Sequence, residues 1–262
     1  MVIDFHTHCF ADAIVRKALA VLQHNSGNVR PVFDGTLNGL IARLEQDGAD
    51  YGVLLNIATN PHQQPKVNDF AIAANGGKVI SFGSVHPDAP DALEELYRIK
   101  EAGLKGVKLH PEYQGFYVDD DKLLPIYETI SKLGLITVFH CGVDIGYFEP
   151  VHCPPSRLAQ ILGTFHTPVV AAHMGGYQQW YEVEEHLVGK DVYLDTAYTY
   201  SVMPRGHAQR IIQNHGAHKI LLGSDMPWIS TADSIRFVES LDLSAEHKQQ
   251  ILGGNAQKLL GI

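Results

Sequence analysis

The sequence predicts an α/β fold, a (β/α)8 TIM barrel, on three observations. Its 262 residues match the ~250 that eight strand–helix units need. Eight short apolar runs alternate with helical patterns, as parallel strands joined by crossover helices do. No break in composition divides the chain, so residues 1–262 are expected to form a single barrel domain.

Residues 2–8 open the chain as the first strand. Alternation there turns Asp4, His6 and His8 to one face and Ile3, Phe5 and Thr7 to the other. Residues 12–23 repeat apolar side chains at helical spacing (Ile14, Ala18, Val21, Leu22). A polar connector, 24–34, follows; it contains Gly27, Arg30 and Pro31 and exceeds a usual βα turn, as part of a substrate lid would. A helix over 36–47 leads to 50–58, a mostly apolar run like a strand buried on both faces. The next helix falls in 61–75 and ends at Gly76 and Gly77, before strand three at 79–87.

Residues 88–102 form an amphipathic helix, with Leu93, Leu96, Tyr97 and Ile99, that Gly103 closes. Strand four is 106–111. The helix at 119–133 is acidic in its first turn, as the helix dipole favours, and Gly134 caps it. Strand five is 135–142, followed by a loop over 143–155 and a short helix. Strand six with its turn is 168–176, a helix spans 178–188, and strand seven is 192–196. A helix at 204–215, strand eight at 219–227 and helices at 231–241 and 245–260 complete the chain. A doubly wound open sheet is the competing architecture, but the first βα turn lacks a Gly-x-Gly-x-x-Gly run.

Composition narrows the partners. A formal charge of -9 without a Lys/Arg run argues against a nucleic-acid surface. No uninterrupted apolar stretch of ~18 residues predicts a membrane span. The first residues lack the basic and apolar regions of a secretory signal. The three cysteines include no CxxC pair, which fits a reducing compartment and a cytoplasmic location. The expected partner is a small-molecule substrate; whether the chain forms a homo-oligomer stays open.

Histidine is the anomalous residue, with 15 copies, and it is the commonest metal ligand. His6 and His8 close strand one, His86 strand three, His110 strand four, His140 strand five and His173 strand six, while Asp225 closes strand eight. A barrel carries its active site at those strand ends, so the bias points to a metal centre. Two imidazoles one strand repeat apart can share one ion, which makes His6 and His8 the first ligand candidates. His140 and Asp225 come next, and His173 is read as a ligand or an acid/base group. His110 is a candidate for metal or substrate, or, like His86, lines the mouth or holds a loop. Asp4, deeper on the strand, is expected to fix a ligand imidazole by a hydrogen bond.

Lys108 shares a face with His110, and an ammonium pointing into a barrel needs a reason. It would pair with a site carboxylate, bind an anionic substrate, or be carboxylated and bridge two metals. Cys9 and Cys141 are read as small core residues. His207, His215, His218 and His247 fall in or beside helices and are expected to face solvent. Tyr147, Phe148, Trp180 and Trp228 are candidate pocket walls.

These motifs carry a resemblance. Asp4-x-His6-x-His8, His140, His173, the run Gly223-Ser224-Asp225-Met226-Pro227 and the closing helix from Ile251 to Leu260 resemble the amidohydrolase superfamily. The chain is most similar to its amidohydrolase-2 branch, the aminocarboxymuconate-semialdehyde decarboxylase-like metal-dependent hydrolases. The resemblance implies a barrel holding a divalent metal, usually zinc, on His6, His8, His140 and Asp225, with His173 handling protons beside it. It also admits a second ion, held where a strand-four lysine is carboxylated and the strand-five and strand-six histidines are ligands; Lys108, His140 and His173 match those positions. The chain is shorter than many decarboxylases of the branch, so the substrate does not carry over.

The expected function is hydrolysis of a small-molecule amide, ester or lactone. Metal would bring the pKa of bound water toward ~7, and Asp225 or His173 would move the proton. The alternative is non-oxidative decarboxylation of a small aromatic or dienoic acid, which needs a cationic group for the carboxylate; Arg30, Arg205 and Lys108 are the candidates. A third reading, from another class, is a non-catalytic metal-binding protein on a barrel scaffold.

Overall fold

The computed structural model describes residues 1–147 and 150–262. Its strands are β1 (Ile3–Thr7), β2 (Tyr51–Leu55), β3 (Val79–Phe82), β4 (Gly106–Leu109), β5 (Ile136–Phe139), β6 (Val169–Ala171), β7 (Tyr193–Asp195) and β8 (Ile220–Leu221). All pair parallel in sequence order, β1 to β3 in one arc and β4 to β8 in another. The arcs join where Gly83 pairs with Val107 and where Thr7 pairs with Met226. Backbone bonds from Lys108 N to Gly83 O (2.8 Å) and from Phe5 N to Leu222 O (2.7 Å) complete the ring. Closure leaves no open edge, which settles the barrel against the open sheet.

Around it run α1 (Val15–Asn25), α2 (Leu37–Gln46), α3 (Gln64–Ala74), α4 (Ala92–Glu101), a short α5 (Pro111–Gln114), α6 (Leu124–Leu133), α7 (Pro155–Ile161), α8 (Trp180–His186), α9 (Arg205–His215) and α10 (Thr231–Glu239). The patterns at 88–102 and 119–133 become α4 and α6; α6 buries Ile126, Tyr127 and Ile130, whereas α4 buries Leu96 and Ile99 and leaves Leu93 and Tyr97 exposed. Helix α5 is unannounced by periodicity: it is one turn, started by Pro111 and stopped by left-handed Gly115. None of the helices among the described residues is long and apolar enough to cross a membrane.

The expected helix at 245–260 is three pieces. Helix α11 (Ala245–Gln249) and α12 (Asn255–Leu260) flank a π-helical turn over Gln250–Gly254. The wider turn frees the Ile251 carbonyl to accept Leu222 N at 3.0 Å. It also brings Gly253 against the backbone of Met1, where an added Cβ would lie 2.4 Å from the Met1 oxygen. Only glycine permits that approach.

Ile3, Phe5, Val53, Leu55, Phe82, Ile136, Val138, Val170 and Leu221 form one buried cluster inside the barrel, and a larger cluster packs between strands and helices. Strand β1 departs from simple alternation. Asp4 pairs with Gly52 but Thr7 with Leu54, three steps against two. This irregularity interrupts the two-residue period. Asp4 therefore lies on the helical side, where Thr231 Oγ1 donates to it at 2.5 Å, and does not share a face with His6 and His8.

Two histidines expected at the surface are buried. His215 Nε2 bonds the Val192 carbonyl at 2.8 Å while its Nδ1 accepts Gly189 N; His207 lies 3.3 Å from Glu184. Both sit on the inner side of α9, whereas His218 and His247 are exposed as expected. Cys9, Cys141 and Cys153 are free and buried, with the last two sulfurs 3.4 Å apart.

Candidate metal centre

The carboxyl end of β1 and the turn after β8 meet at the barrel mouth. Asp225 N donates to His6 O at 2.8 Å and His8 N to Met226 O at 2.8 Å, which fixes the three side chains side by side. His6 Nε2 and His8 Nε2 are 3.2 Å apart, and Asp225 Oδ1 is 3.3 Å from each. Donors ~2.1 Å from one ion at roughly tetrahedral angles have about this spacing.

Protons decide what the triangle is for. His6 Nδ1 donates to Asp195 Oδ2 at 2.8 Å, and His8 Nδ1 donates to the Leu55 carbonyl at 2.8 Å. In neutral rings both Nε2 atoms then carry lone pairs. Two lone pairs and a carboxylate converge with no proton between them, an arrangement that a cation stabilises and that the residues present fit. Burial holds the His6 imidazole well below its usual pKa, and Lys108 adds to the effect. Burial alone would raise the Asp225 carboxyl; protons on the His8, His6 and His173 rings outweigh it when those rings are charged, and with the rings neutral a bound cation would take their place.

Asp195 closes β7 and is fully buried. Its Oδ1 accepts His173 N (2.9 Å) and Ala197 N (3.0 Å), while Oδ2 takes His6. It performs the orienting role that the sequence reading gave to Asp4. Asp4 instead accepts the backbone N–H groups of His6 (3.2 Å) and Ser224 (3.0 Å), tying β1 to the β8 turn. The strand irregularity is the cause, since it turns Asp4 toward the helices. Asp195 carries the same signal as Asp225: a carboxylate at the carboxyl end of a strand.

His140 is not in the His6, His8 and Asp225 group. It stands with His110 and Asp144 in a second group whose donor atoms lie within 4.8 Å of one another. Its Nδ1 is 3.0 Å from His173 Nε2, and His173 Nδ1 is 3.1 Å from the Ala197 carbonyl. Asp144, in the loop after β5, was missed by sequence because no strand period marks it. His86 is buried, with Nδ1 accepting Asp88 N at 3.1 Å, and holds the turn after β3.

Lys108 is 1% exposed and its Nζ has no hydrogen-bond partner among the described residues. Burial lowers its pKa, opposed by Asp195 and Asp225. Of the three roles read for it, pairing with a site carboxylate is not seen among the described residues.

Above the triad lies a small cavity, partly open to solvent. Tyr113, Tyr177, Tyr198 and Trp228 wall it, His140, His173, Asp144 and Asp225 face it, and Leu22, Asn25 and Ser26 come from the end of α1. Trp228 is thus a wall as expected, and Trp180 packs behind Tyr177; Phe148 lies outside the described residues. No lysine or arginine lines the cavity among the described residues, and Arg30 and Arg205 are exposed elsewhere. His173, Tyr198 and Asp225 have left-handed backbones, with φ of 61°, 55° and 70°, strain of the kind that concentrates at functional sites.

A family model described as amidohydrolase matches residues 3–262. A 2-amino-3-carboxymuconate-6-semialdehyde decarboxylase from Dictyostelium discoideum is 26% identical over 227 residues, covering 73% of this chain and 63% of that protein. The chain therefore spans less than two thirds of that relative's length. Among solved structures, 5-carboxyvanillate decarboxylase LigW from Sphingomonas paucimobilis superposes with a TM-score of 0.75 at 17% identity, over 100% of this chain and 99% of the other. A putative 2-pyrone-4,6-dicarboxylic acid hydrolase from Pseudomonas putida does so with 0.69 at 19%, over 99% and 97%. One barrel thus accompanies decarboxylase and hydrolase names alike, and the fold does not choose the reaction.

Proposed function

The chain belongs to the amidohydrolase family, and on that premise we propose that it is a metal-dependent, non-oxidative decarboxylase of a small aromatic or dienoic acid. Residues 1–262 act as one barrel unit in this reading. His6, His8 and Asp225 would hold the divalent ion, with Zn2+ best suited to two imidazoles and a carboxylate. When bound, the ion supplies a Lewis acid for the substrate's oxygen atoms.

The observation that carries the reaction is the His140 Nδ1 to His173 Nε2 hydrogen bond on the cavity wall. Loss of carbon dioxide breaks a carbon–carbon bond and leaves the electron pair on carbon, which must then take a proton. The imidazole pair holds one at that bond, facing the substrate space. Asp225, ionised as a ligand of the ion, does not hold a proton near neutrality. The aromatic walls suit a flat, conjugated acid, and the curated relative, though longer, is named for a decarboxylation. Hydrolysis, the first expectation from sequence, ranks second: the barrel tolerates it, but the cavity shows no feature that selects it.

The test is a panel of small aromatic and dienoic monocarboxylates scored for carbon dioxide release in heavy water, beside a panel of amides, esters and lactones. Carbon dioxide with one deuterium at the vacated carbon supports the proposal. Turnover confined to the second panel replaces it with hydrolysis.

A further inference from the structure

We propose that Asp144 is the specificity residue of the cavity: its free carboxylate oxygen accepts a hydrogen bond from a hydroxyl or amino group of the substrate and turns away a second carboxylate. The substrate is then a hydroxy- or amino-substituted monoacid. For the acid the inference rests on the decarboxylase reading; the donor subsite stands on the geometry.

Asp144 follows β5 in a turn that its own side chain closes. Oδ1 accepts Gly146 N at 2.7 Å, and the Asp144 carbonyl accepts Tyr147 N at 3.1 Å. The turn thus fixes where the other oxygen goes. Oδ2 is directed toward the imidazole edges at the strand ends, 3.5 Å from His110 Nε2 and 3.8 Å from His140 Nε2. Both distances exceed the ~3.2 Å of an ordinary N–H···O bond.

A carboxylate can accept about four hydrogen bonds, and this one is short of them. Asp144 is 8% exposed, and what remains open faces the cavity that it lines. His110 offers only one N–H, at long range, because its Nδ1 accepts Tyr113 N at 3.4 Å. No lysine or arginine among the described lining brings a positive charge. Tyr113 stacks on His110 with centroids 3.8 Å apart, and Tyr147 tilts against Tyr113 at 5.2 Å, so aromatic rings close that corner. An acceptor so placed is costly without a donor. A ligand that brings an O–H or N–H is held there. An ether or tertiary amine of the same shape leaves the oxygen unpaired and is rejected.

Asp144→Asn gives a readout that a structural role would not move. Gly146 N is a donor, so the amide oxygen must take the Oδ1 position and the NH2 group stands where Oδ2 was. The acceptor becomes a donor while the turn is kept.

The probes are the hydroxy- and aminobenzoates with the donor ortho, meta or para. Each is set beside its methoxy or dimethylamino counterpart, its carboxamide and the matching benzenedicarboxylate. Calorimetry on the protein dialysed against Zn2+ measures their dissociation constants. In wild type at least one hydroxy or amino acid should bind about 10-fold or more tightly than its methylated counterpart and than the dicarboxylate; Asp144→Asn should abolish or reverse that preference. Equal affinity within every pair in wild type, or a preference that survives in Asp144→Asn, overturns the subsite and leaves the decarboxylase reading standing. Binding confined to the carboxamides, with the donor preference intact, sustains the subsite and removes the decarboxylase reading. No binding by any probe overturns both. The wild-type comparison carries the test alone if the variant does not fold.

Discussion

Asp195 Oδ1 accepts two backbone N–H groups while Oδ2 accepts Nδ1–H of His6 at 2.8 Å, so each carboxylate oxygen is committed. In Asp195→Asn the oxygen must take the Oδ1 position, because both backbone groups are donors. The amide NH2 then faces His6 Nδ1 and forces the ring's proton onto Nε2, blocking the atom that faces Asp225. Metal affinity is expected to fall about 10–100-fold. Competition with a chromophoric chelator measures it, with circular dichroism as the check on folding.

Asp225→Asn is expected to abolish turnover without unfolding the protein. The backbone at 225 is left-handed, a conformation that Asn tolerates and Ala does not. A melting temperature within a few degrees of wild type, together with activity lost by at least ~100-fold, is the expected pair of results. Full activity would remove the carboxylate from the mechanism.

His215 predicts a pH dependence of stability remote from the site. Burial lowers its pKa from 6.5, against the Val192 carbonyl bond that raises it. The fold prefers the neutral ring, so the contribution is complete above about pH 6.5 and is lost as pH falls through the depressed value. His215→Leu leaves the Val192 carbonyl and the Gly189 N–H without partners and should cost about 1–3 kcal/mol at pH 7.5. Urea unfolding at pH 7.5 and pH 5 should show that gap narrowing in acid; a constant gap would mean the ring does not titrate there.

Gly142 is held at φ 82°, with the site of a Cβ 2.3 Å from Tyr177 N. Neither the left-handed backbone nor the contact admits a methyl group. Gly142→Ala should destabilise by about 3 kcal/mol or more, read from denaturant midpoints. It should also loosen the loop that carries Asp144.

Much of this architecture is legible in the sequence because burial and periodicity are local. Eight apolar runs and their glycine stops locate the strands, and strand ends locate His6, His8, His173 and Asp225. What escapes is whatever depends on a neighbour in space. The irregularity in β1 has no mark in residues 2–8, so Asp4 was placed on the wrong face. Asp144 needs the loop's path to reach His110 and His140, and the π-helical turn at Gln250–Gly254 answers to Met1 and Leu222, which lie at other positions along the chain. The burial of His215 escapes the sequence because helix periodicity does not say which polar residue finds backbone partners inside.

The closure of β8 onto β1 has a kinetic meaning. His6 and His8 lie in the first strand of the barrel and Asp225 follows the last, so their donor atoms meet only when the ring is complete. Contacts so distant in sequence form late and slowly. An ion on that triad is therefore a reporter of the final step of folding, and its capture should pull half-closed chains forward by mass action. Refolding followed by a metal-sensitive signal should lag behind the recovery of helical signal, and the lag should shorten as metal concentration rises.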